Sequence, residues 1–485
     1  MHELVSKGID GGKWNSISVS ICSLIHYTLI IITTNRISPS EYGVVVLAFS
    51  LIEFSYLFIN AGLGPALIQK KSISSDEVRS AYTLTMILAF FCYFILLLSS
   101  SFLSHFFNDS NLENVLSVLG IIFIFRAFTS IPKALLQKNL QFKDIMLIEI
   151  ISFFLGYLVF GILLVLNGFG YWAIIYAALI QTLIAGLLSF IKKPHNVIPF
   201  IAFKSIKEIV DFGTGLTISR FFNFFGKDGD KLVIGRVFES TFLGIYGMAA
   251  KLIMLPVKII GKLIDHVLFP ILSKINEDEK IPIFYKTINY VSMGSILMLL
   301  IMSSFLKELV VLFLGESWIE ILPPLYIMLV ATIFRIIIRI CDVFVRAIGA
   351  VYRGASQKII MTILILVFSY VGSYWGIIGV AIGVDIAVFI TMIKMINLCT
   401  NLLGIEKQIF SFNDIIFVSM VGLSMFLLTF IIKPFLLQSI TNLLLVVSIL
   451  ALFNIILVSF ILYLSYPSSF RKIYFIIFKN IKVIN

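Results

Sequence analysis

Charge is scarce in this chain. Only 13% of its 485 residues are Asp, Glu, Lys or Arg, about half the usual share in a soluble domain, whereas 60% are apolar. Mean hydropathy is +1.06. A globule of this size cannot hide so much apolar surface, which excludes a soluble enzyme or binding module. Cysteine is scarce too. Cys22, Cys92, Cys341 and Cys399 lie in or beside apolar stretches and form no CxxC, so neither a disulfide framework nor a metal knuckle is expected. There is no phosphate loop, since Gly12-Lys13 is flanked by Lys7 and Trp14 where that motif needs Gly and Ser/Thr. HExxH, EF-hand and GxSxG patterns are likewise missing. The net charge of +11 has no long polar segment to carry it, so anionic lipid, and no nucleic acid, is its expected partner.

What fills the chain is apolar runs of membrane-crossing length. About 14 candidate helices emerge, at 14–35, 42–68, 81–103, 115–136, 145–166, 171–191, 208–225, 240–270, 287–306, 322–346, 358–374, 376–398, 412–432 and 441–466. The first is too long for a signal peptide and lacks a small-residue cleavage site, so it reads as a retained helix. Lys and Arg gather in alternate connections. Lys70, Lys71 and Arg79, then Lys192, Lys193, Lys204 and Lys207, and finally the tail from Arg471 to Lys482, share a side with the N-terminus; the bias is about four to one. This predicts cytoplasmic termini. All connections are short, which leaves no room for a soluble domain.

The two halves resemble each other. Arg36 opens RISPSEYG before the second helix, and Arg236 opens RVFESTFLGIYG before the eighth. GPALIQK (from Gly64) is echoed by FPILSK (from Phe269), Ile124-Phe125-Arg126 by Ile333-Phe334-Arg335, and GFGYWAII (from Gly168) by YWGIIGVA (from Tyr374). Four matches in register predict a duplication of six helices, with lobes related about the membrane normal and a central cavity between them. The expected division is residues 1–200, 201–400 and an appended 401–485.

Charged side chains inside the candidate helices are the chemical signal. Each costs ~2.5–3.5 kcal/mol at the bilayer centre on insertion scales, so they are expected to face protein or water. Glu53, Arg126, Arg220, Lys251 and Arg335 each lie ~16–20 Å from a helix end, near the midplane. Arg335, Arg339, Asp342 and Arg346 share one helical face, as do Lys251, Lys258, Lys262 and Asp265. Such basic stripes suit an anion entering from the cytoplasm. Arg339 with Asp342, and Lys262 with Asp265, are spaced to pair at i, i+3. Glu53 and Asp385, the deepest acids, are candidates for binding a proton or sodium ion. The expected anion-binding residues are therefore Arg126, Arg220, Lys251, Lys258, Arg335 and Arg339, with Glu53 and Asp385 as ion-coupling residues. No catalytic residue, metal site or cofactor is expected. Asp109 with Glu113, and Asp228 with Asp230, form short acidic clusters in expected outer loops, which a polymerase or ligase would need. A drug or cation exporter would need an acidic cavity, for which only Glu53 speaks.

RISPSEYG, AGLGPALIQKK (from Ala61), NLQFK (from Asn139), GFGYWAII, DKLVIGRVF (from Asp230), GIYGMAAKL (from Gly244), LFPILSK (from Leu268) and FLGESW (from Phe313) together resemble the multidrug/oligosaccharidyl-lipid/polysaccharide exporters. Within that superfamily the chain is similar to the Wzx-type polysaccharide flippases over about residues 10–400. The resemblance implies two six-helix lobes, a V-shaped cavity and alternating access. It implies movement of undecaprenyl-pyrophosphate-linked glycan repeat units across the bacterial inner membrane for O-antigen, capsule or exopolysaccharide, alongside a polysaccharide polymerase and a chain-length regulator. Family cavities carry cations on the first, second, seventh and eighth helices. Arg220 and Lys251 match the last two, while His26 and Glu53 stand on the first two.

Overall fold

The computed structural model describes residues 2–59, 62–70, 72–272, 275–405, 412–439, 444–450 and 452–454, and among these no strand occurs. The first half holds α1 (His2–Thr34), α2 (Pro39–Ile59), α3 (Leu63–Gln69), α4 (Ser75–Phe107), α5 (Asn111–Leu119), α6 (Ile122–Lys138), α7 (Phe142–Phe153), α8 (Ile162–Leu166) and α9 (Trp172–Lys192). The second holds α10 (Phe203–Val237), α11 (Ser240–Leu263), α12 (Phe269–Leu272), α13 (Glu277–Ser304), α14 (Leu306–Leu314), α15 (Leu322–Ala347), α16 (Val351–Ser373) and α17 (Gly376–Leu403), followed by α18 (Phe412–Ser439). Eleven spans among the described residues are long and apolar enough to cross a membrane. The chain is an all-α, multi-pass membrane protein. Much of the last expected helix, 441–466, and the basic tail lie outside the described residues.

Continuous apolar sequence makes these helices, and backbone exceptions mark where they break. The expected helix 42–68 is two pieces, because Gly62 takes φ 78° between α2 and α3, a conformation only glycine adopts freely. The expected 115–136 is split at Gly120, where a Cβ would fall 2.7 Å from the Tyr93 ring. A π-helical stretch, Phe154–Gly161, joins α7 to α8, and another, Ile264–Leu268, joins α11 to α12. The region 358–398 forms two separate helices with Gly376 at φ 75° between them. Elsewhere ordinary caps suffice: Ser74 and Glu77 close a capping box on α4.

Packing follows the sequence halves. In the first, α6 and α7 lie against α9, α1 against α7, and α4 against α6; in the second, α16 lies against α17 and α10, and α15 against α17, α11 and α13. The halves meet chiefly where α2 packs on α11 and α10. Phe90, Phe91, Phe94, Leu98 and Phe102 stand exposed along α4, as an apolar solvent requires.

The contact between halves is tightest at one end. A Cβ on Gly43 would stand 1.8 Å from the Ser240 carbonyl oxygen, and one on Gly244 would stand 1.8 Å from that of Pro39. The two backbones touch there because neither residue has a side chain. Around this crossing the Trp318 indole donates to the Thr34 carbonyl at 3.0 Å, Asn35 donates to the Phe313 carbonyl at 3.1 Å, and the Ser240 hydroxyl donates to the Asp109 carboxylate. Between the halves, the connection after α9 is fastened to α4. Thr83 and Ser80 accept from the Phe200 and Ala202 amides at 3.1 and 3.0 Å, and the Arg79 guanidinium lies 4.8 Å above the Phe200 ring.

Candidate functional site

The mid-helix charges divide into four groups, each set by the helices that carry it. In the first half, Arg126 on α6 reaches across to Glu53 on α2, Nη2 to Oε1 at 2.7 Å, and its guanidinium lies 4.8 Å above the Tyr56 ring. Sequence spacing put no acid beside Arg126, because its partner is 73 residues away on another helix. Glu53 and Arg126, expected as ion-coupling and anion-binding residues respectively, are paired with each other in this structure. Arg220 on α10 lies within electrostatic reach of Tyr56, beside this pair.

The second group straddles the halves. Lys251 on α11 points its Nζ at the Tyr42 hydroxyl of α2, 3.3 Å away, and lies 5.9 Å from that ring's centroid. Tyr27 of α1 donates to the Lys251 carbonyl at 3.2 Å. Lys227, Lys231 and Lys258 all lie within electrostatic reach of Lys251, and His26 within reach of Lys251 and Lys258. Of these, Lys227 and Lys231 are paired to Asp228, and Lys251 is the one that meets α1 and α2 directly, through Tyr27 and Tyr42. No described carboxylate pairs with Lys251, so its ammonium is the charge here that an anion would meet.

The third group is in the second half. Arg335 on α15 forms no ion pair within 4 Å among the described residues, though Asp230 and Asp385 both lie within its electrostatic reach. Asp230 accepts from the Tyr246 hydroxyl at 2.7 Å. Asp385 on α17 has a buried oxygen, Oδ1, with no hydrogen-bond partner among the described residues. Asp228 and Asp230 are buried, 6% and 7% exposed, inside α10 rather than in an outer loop. The helix continues past the expected limit of 225 to Val237 because Lys227 and Lys231 pair with Asp228 and Tyr246 caps Asp230. The expectation of exposed acids there is overturned.

The fourth group closes one end of the second half. Asp265 bridges Arg339 and Arg346, the latter at 2.7 Å, while Asp342 takes Arg346 at 3.2 Å and Lys358 at 3.1 Å. The expected Arg339–Asp342 pair is replaced by a contact between helices, in which Arg339 shares the Asp265 carboxylate with Arg346. The Lys262 side chain, expected on Asp265, lies outside the described residues.

Sequence reading passed over the tyrosines. Tyr42 and Tyr246 are both buried, at 2% and 0% exposure, and each meets a charged residue through its hydroxyl. Both belong to the Tyr-Gly that ends the similar segments RISPSEYG and RVFESTFLGIYG. That shared dipeptide was the available signal.

Known proteins carry the same sequence pattern. Residues 36–323 match a family model described as polysaccharide biosynthesis protein. A membrane protein from the cps region of Klebsiella pneumoniae is 25% identical over 382 residues, covering 78% of this chain and 79% of that protein. The lipopolysaccharide biosynthesis protein WzxC of Escherichia coli K12 is 24% identical over 391 residues, 78% of each. In fold, the chain is similar to the lipid II flippase MurJ in an inward closed conformation, with a TM-score of 0.69 at 15% identity over 92% of this chain and 98% of that one.

Proposed function

Because the chain belongs to the polysaccharide biosynthesis protein family, we propose that it flips undecaprenyl-pyrophosphate-linked oligosaccharide repeat units from the cytoplasmic to the periplasmic leaflet of the bacterial inner membrane. The observation that carries this reading is Lys251, an ammonium with no described carboxylate partner, held against Tyr42 where the second half faces α2. A diphosphate is a multiple anion, and desolvated ammonium and guanidinium groups bind it with charge-assisted hydrogen bonds. Lys251, Lys258, Arg220 and Arg335 take the headgroup in this scheme, while Arg126 and Arg339 shape the field through Glu53 and Asp265. The polar glycan occupies water between the repeats 1–200 and 201–400, and the polyprenyl chain stays in lipid.

Orientation by the Lys/Arg bias puts both termini in the cytoplasm and the Gly43–Gly244 crossing at the periplasmic side. The protein is then closed outward and receives its substrate from inside. Asp385, with one carboxylate oxygen unpartnered among the described residues, is the ion-coupling group of the cycle, a proton or sodium ion neutralising it while Arg335 attends the substrate. Glu53 serves the N-terminal half as the counter-ion of Arg126. No step forms or breaks a covalent bond, so the protein acts as a transporter rather than as a polymerase, with a polymerase and chain-length regulator acting on what it delivers.

The test replaces Lys251, Arg220 and Arg335 together by Ala in cells that depend on this protein for surface polysaccharide. The expected result is loss of the polymer and accumulation of lipid-linked repeat units in the inner leaflet, with normal membrane insertion. Undiminished polymer in the triple variant would refute the reading.

A further inference from the structure

Lys251 is tied to the closed end of the molecule by a short line of contacts. Its Nζ meets the Tyr42 hydroxyl at 3.3 Å. The Tyr42 ring sits edge-on to the Trp318 indole, with centroids 5.6 Å apart. That indole donates to the Thr34 carbonyl at 3.0 Å, which joins α15's approach to the end of α1. Tyr42 is followed directly by Gly43, the residue whose backbone touches Ser240 and Gly244. Every member is buried or half-buried, and the line alternates between the halves: Lys251 from the second, Tyr42 from the first, Trp318 from the second, Thr34 from the first.

We propose that Tyr42 is a latch which holds Lys251 while the outer end is shut, and that an anionic diphosphate arriving at Lys251 draws the ammonium away and frees the Tyr42–Trp318 contact to part. This rests on the reading of Lys251 as a headgroup ligand and adds how occupancy of the site is conveyed to the gate. The physics is competition for one ammonium. A neutral phenol oxygen at 3.3 Å is a weak acceptor, whereas a phosphate oxygen makes a shorter, charge-assisted bond. A ligand shifts a two-state equilibrium only through contacts it makes differently in the two states, and Lys251 supplies that difference by position: its ammonium has three N–H donors, and drawing them onto the phosphate oxygens carries Nζ out of reach of the Tyr42 hydroxyl. The second state is specified as well, since separation of the halves breaks the Trp318–Thr34, Asn35–Phe313 and Ser240–Asp109 hydrogen bonds as a set. Tyr42 is thus a positioning residue, acting through Lys251 and Trp318.

The experiment uses the full chain in proteoliposomes, with the four native cysteines replaced and spin labels at Arg36 and Glu239, exposed positions on opposite halves beside the crossing. Undecaprenyl diphosphate without a glycan is the probe, its binding measured separately by intrinsic fluorescence. In the parent, the probe is expected to raise the long-distance population several-fold. Tyr42→Phe keeps the ring and removes the acceptor, and is expected to raise that population several-fold without probe and leave less than a twofold further response. Lys251→Met is expected to abolish the response. If the parent binds the probe and opens, but Tyr42→Phe behaves as the parent does, the latch is refuted while the flippase reading stands. If the parent does not bind the probe at all, the flippase reading itself fails. Trp318→Phe, which removes the donor to Thr34, is expected to match Tyr42→Phe; a closed population equal to the parent's also counts against the latch.

Discussion

Substitution of Gly43 by alanine is the smallest perturbation that addresses how the two halves close. The added Cβ would sit 1.8 Å from the Ser240 carbonyl oxygen and 2.6 Å from its carbonyl carbon. Ordinary van der Waals contact needs about 3.4 Å, so α2 and α11 must separate by roughly 1.6 Å at this point. The obstacle is main chain on the opposing helix, so no side-chain rotation relieves it. Overpacking of a tight contact costs about 1–3 kcal/mol. That cost falls only on the conformation in which the crossing is made, because the clash vanishes when the ends part. The open population therefore rises by about 5- to 150-fold. The Asp109–Ser240, Asn35–Phe313 and Trp318–Thr34 hydrogen bonds, within the same interface, are lengthened together. The assay is disulfide formation between cysteines placed at Arg36 and Glu239 in a background lacking the native cysteines. The parent is expected to cross-link rapidly, and Gly43→Ala at least fivefold more slowly, with Gly244→Ala doing the same because its Cβ meets the Pro39 carbonyl oxygen at 1.8 Å. Equal cross-linking rates in a correctly inserted Gly43→Ala protein would refute the claim that backbone contact at these glycines holds the end shut.

Two further outcomes follow from the pairings. Arg126→Met strands the Glu53 carboxylate inside α2 and is expected to lower stability in detergent by about 1–3 kcal/mol, while the double variant Glu53→Gln/Arg126→Met recovers most of the loss; melting temperatures of the four proteins decide it, and a double variant no better than the single would sink the pairing. His195, in the connection between the halves, lies between Tyr82 (4.9 Å) and Phe190 (5.5 Å), and desolvation holds its imidazole below the ordinary histidine range against a smaller opposing effect from the Lys193 backbone. The unfolded chain then takes up a proton before the folded one does, so this residue's contribution to stability is complete above about pH 6.5 and declines as pH falls through the unfolded value toward the folded one. Thermal unfolding between pH 7.5 and 5 should show that decline, and His195→Phe should flatten it; an unchanged slope would contradict the assignment.

How much of this was legible in the sequence depends on the range of the forces involved. Helix existence was readable because membrane span is a property of a run of residues, and the runs at 81–103 and 376–398 fall inside observed helices while that at 171–191 departs from α9 by one residue. Interruptions were harder. Gly62 turns left-handed within a Gly- and Pro-containing stretch, Gly62-Leu63-Gly64-Pro65, that hydropathy alone reads through, whereas the break at Gly120 comes from Tyr93 on a neighbouring helix. The length of α10 was misjudged for the same reason: Asp228 and Asp230 look like solvent-seeking residues until Lys231 and Tyr246 are placed beside them. Charge pairing was the least legible. Local spacing suggested Arg339 with Asp342, whereas Asp265, in the π-helical stretch after α11, is the acid that reaches Arg339. Glu53 and Arg126 were each recognised as midplane charges, but their meeting is a fact of how α2 lies on α6. Lys251 was placed near the midplane by its distance from the helix ends, but its contact with Tyr42, 209 residues away, is again a fact of how the helices pack.

The stitching of residues 198–202 onto α4 has a mechanical meaning. A tether that is pinned along its length by Arg79, Thr83 and Ser80 has no slack to pay out, so it belongs to the first half as a moving part. The chain changes allegiance only after Ala202, where α10 begins at Phe203. Any rocking of one half against the other must therefore be absorbed at that single joint and along the α2–α11 and α2–α10 contacts, which makes the start of α10 the fulcrum rather than a passive entry to the second bundle.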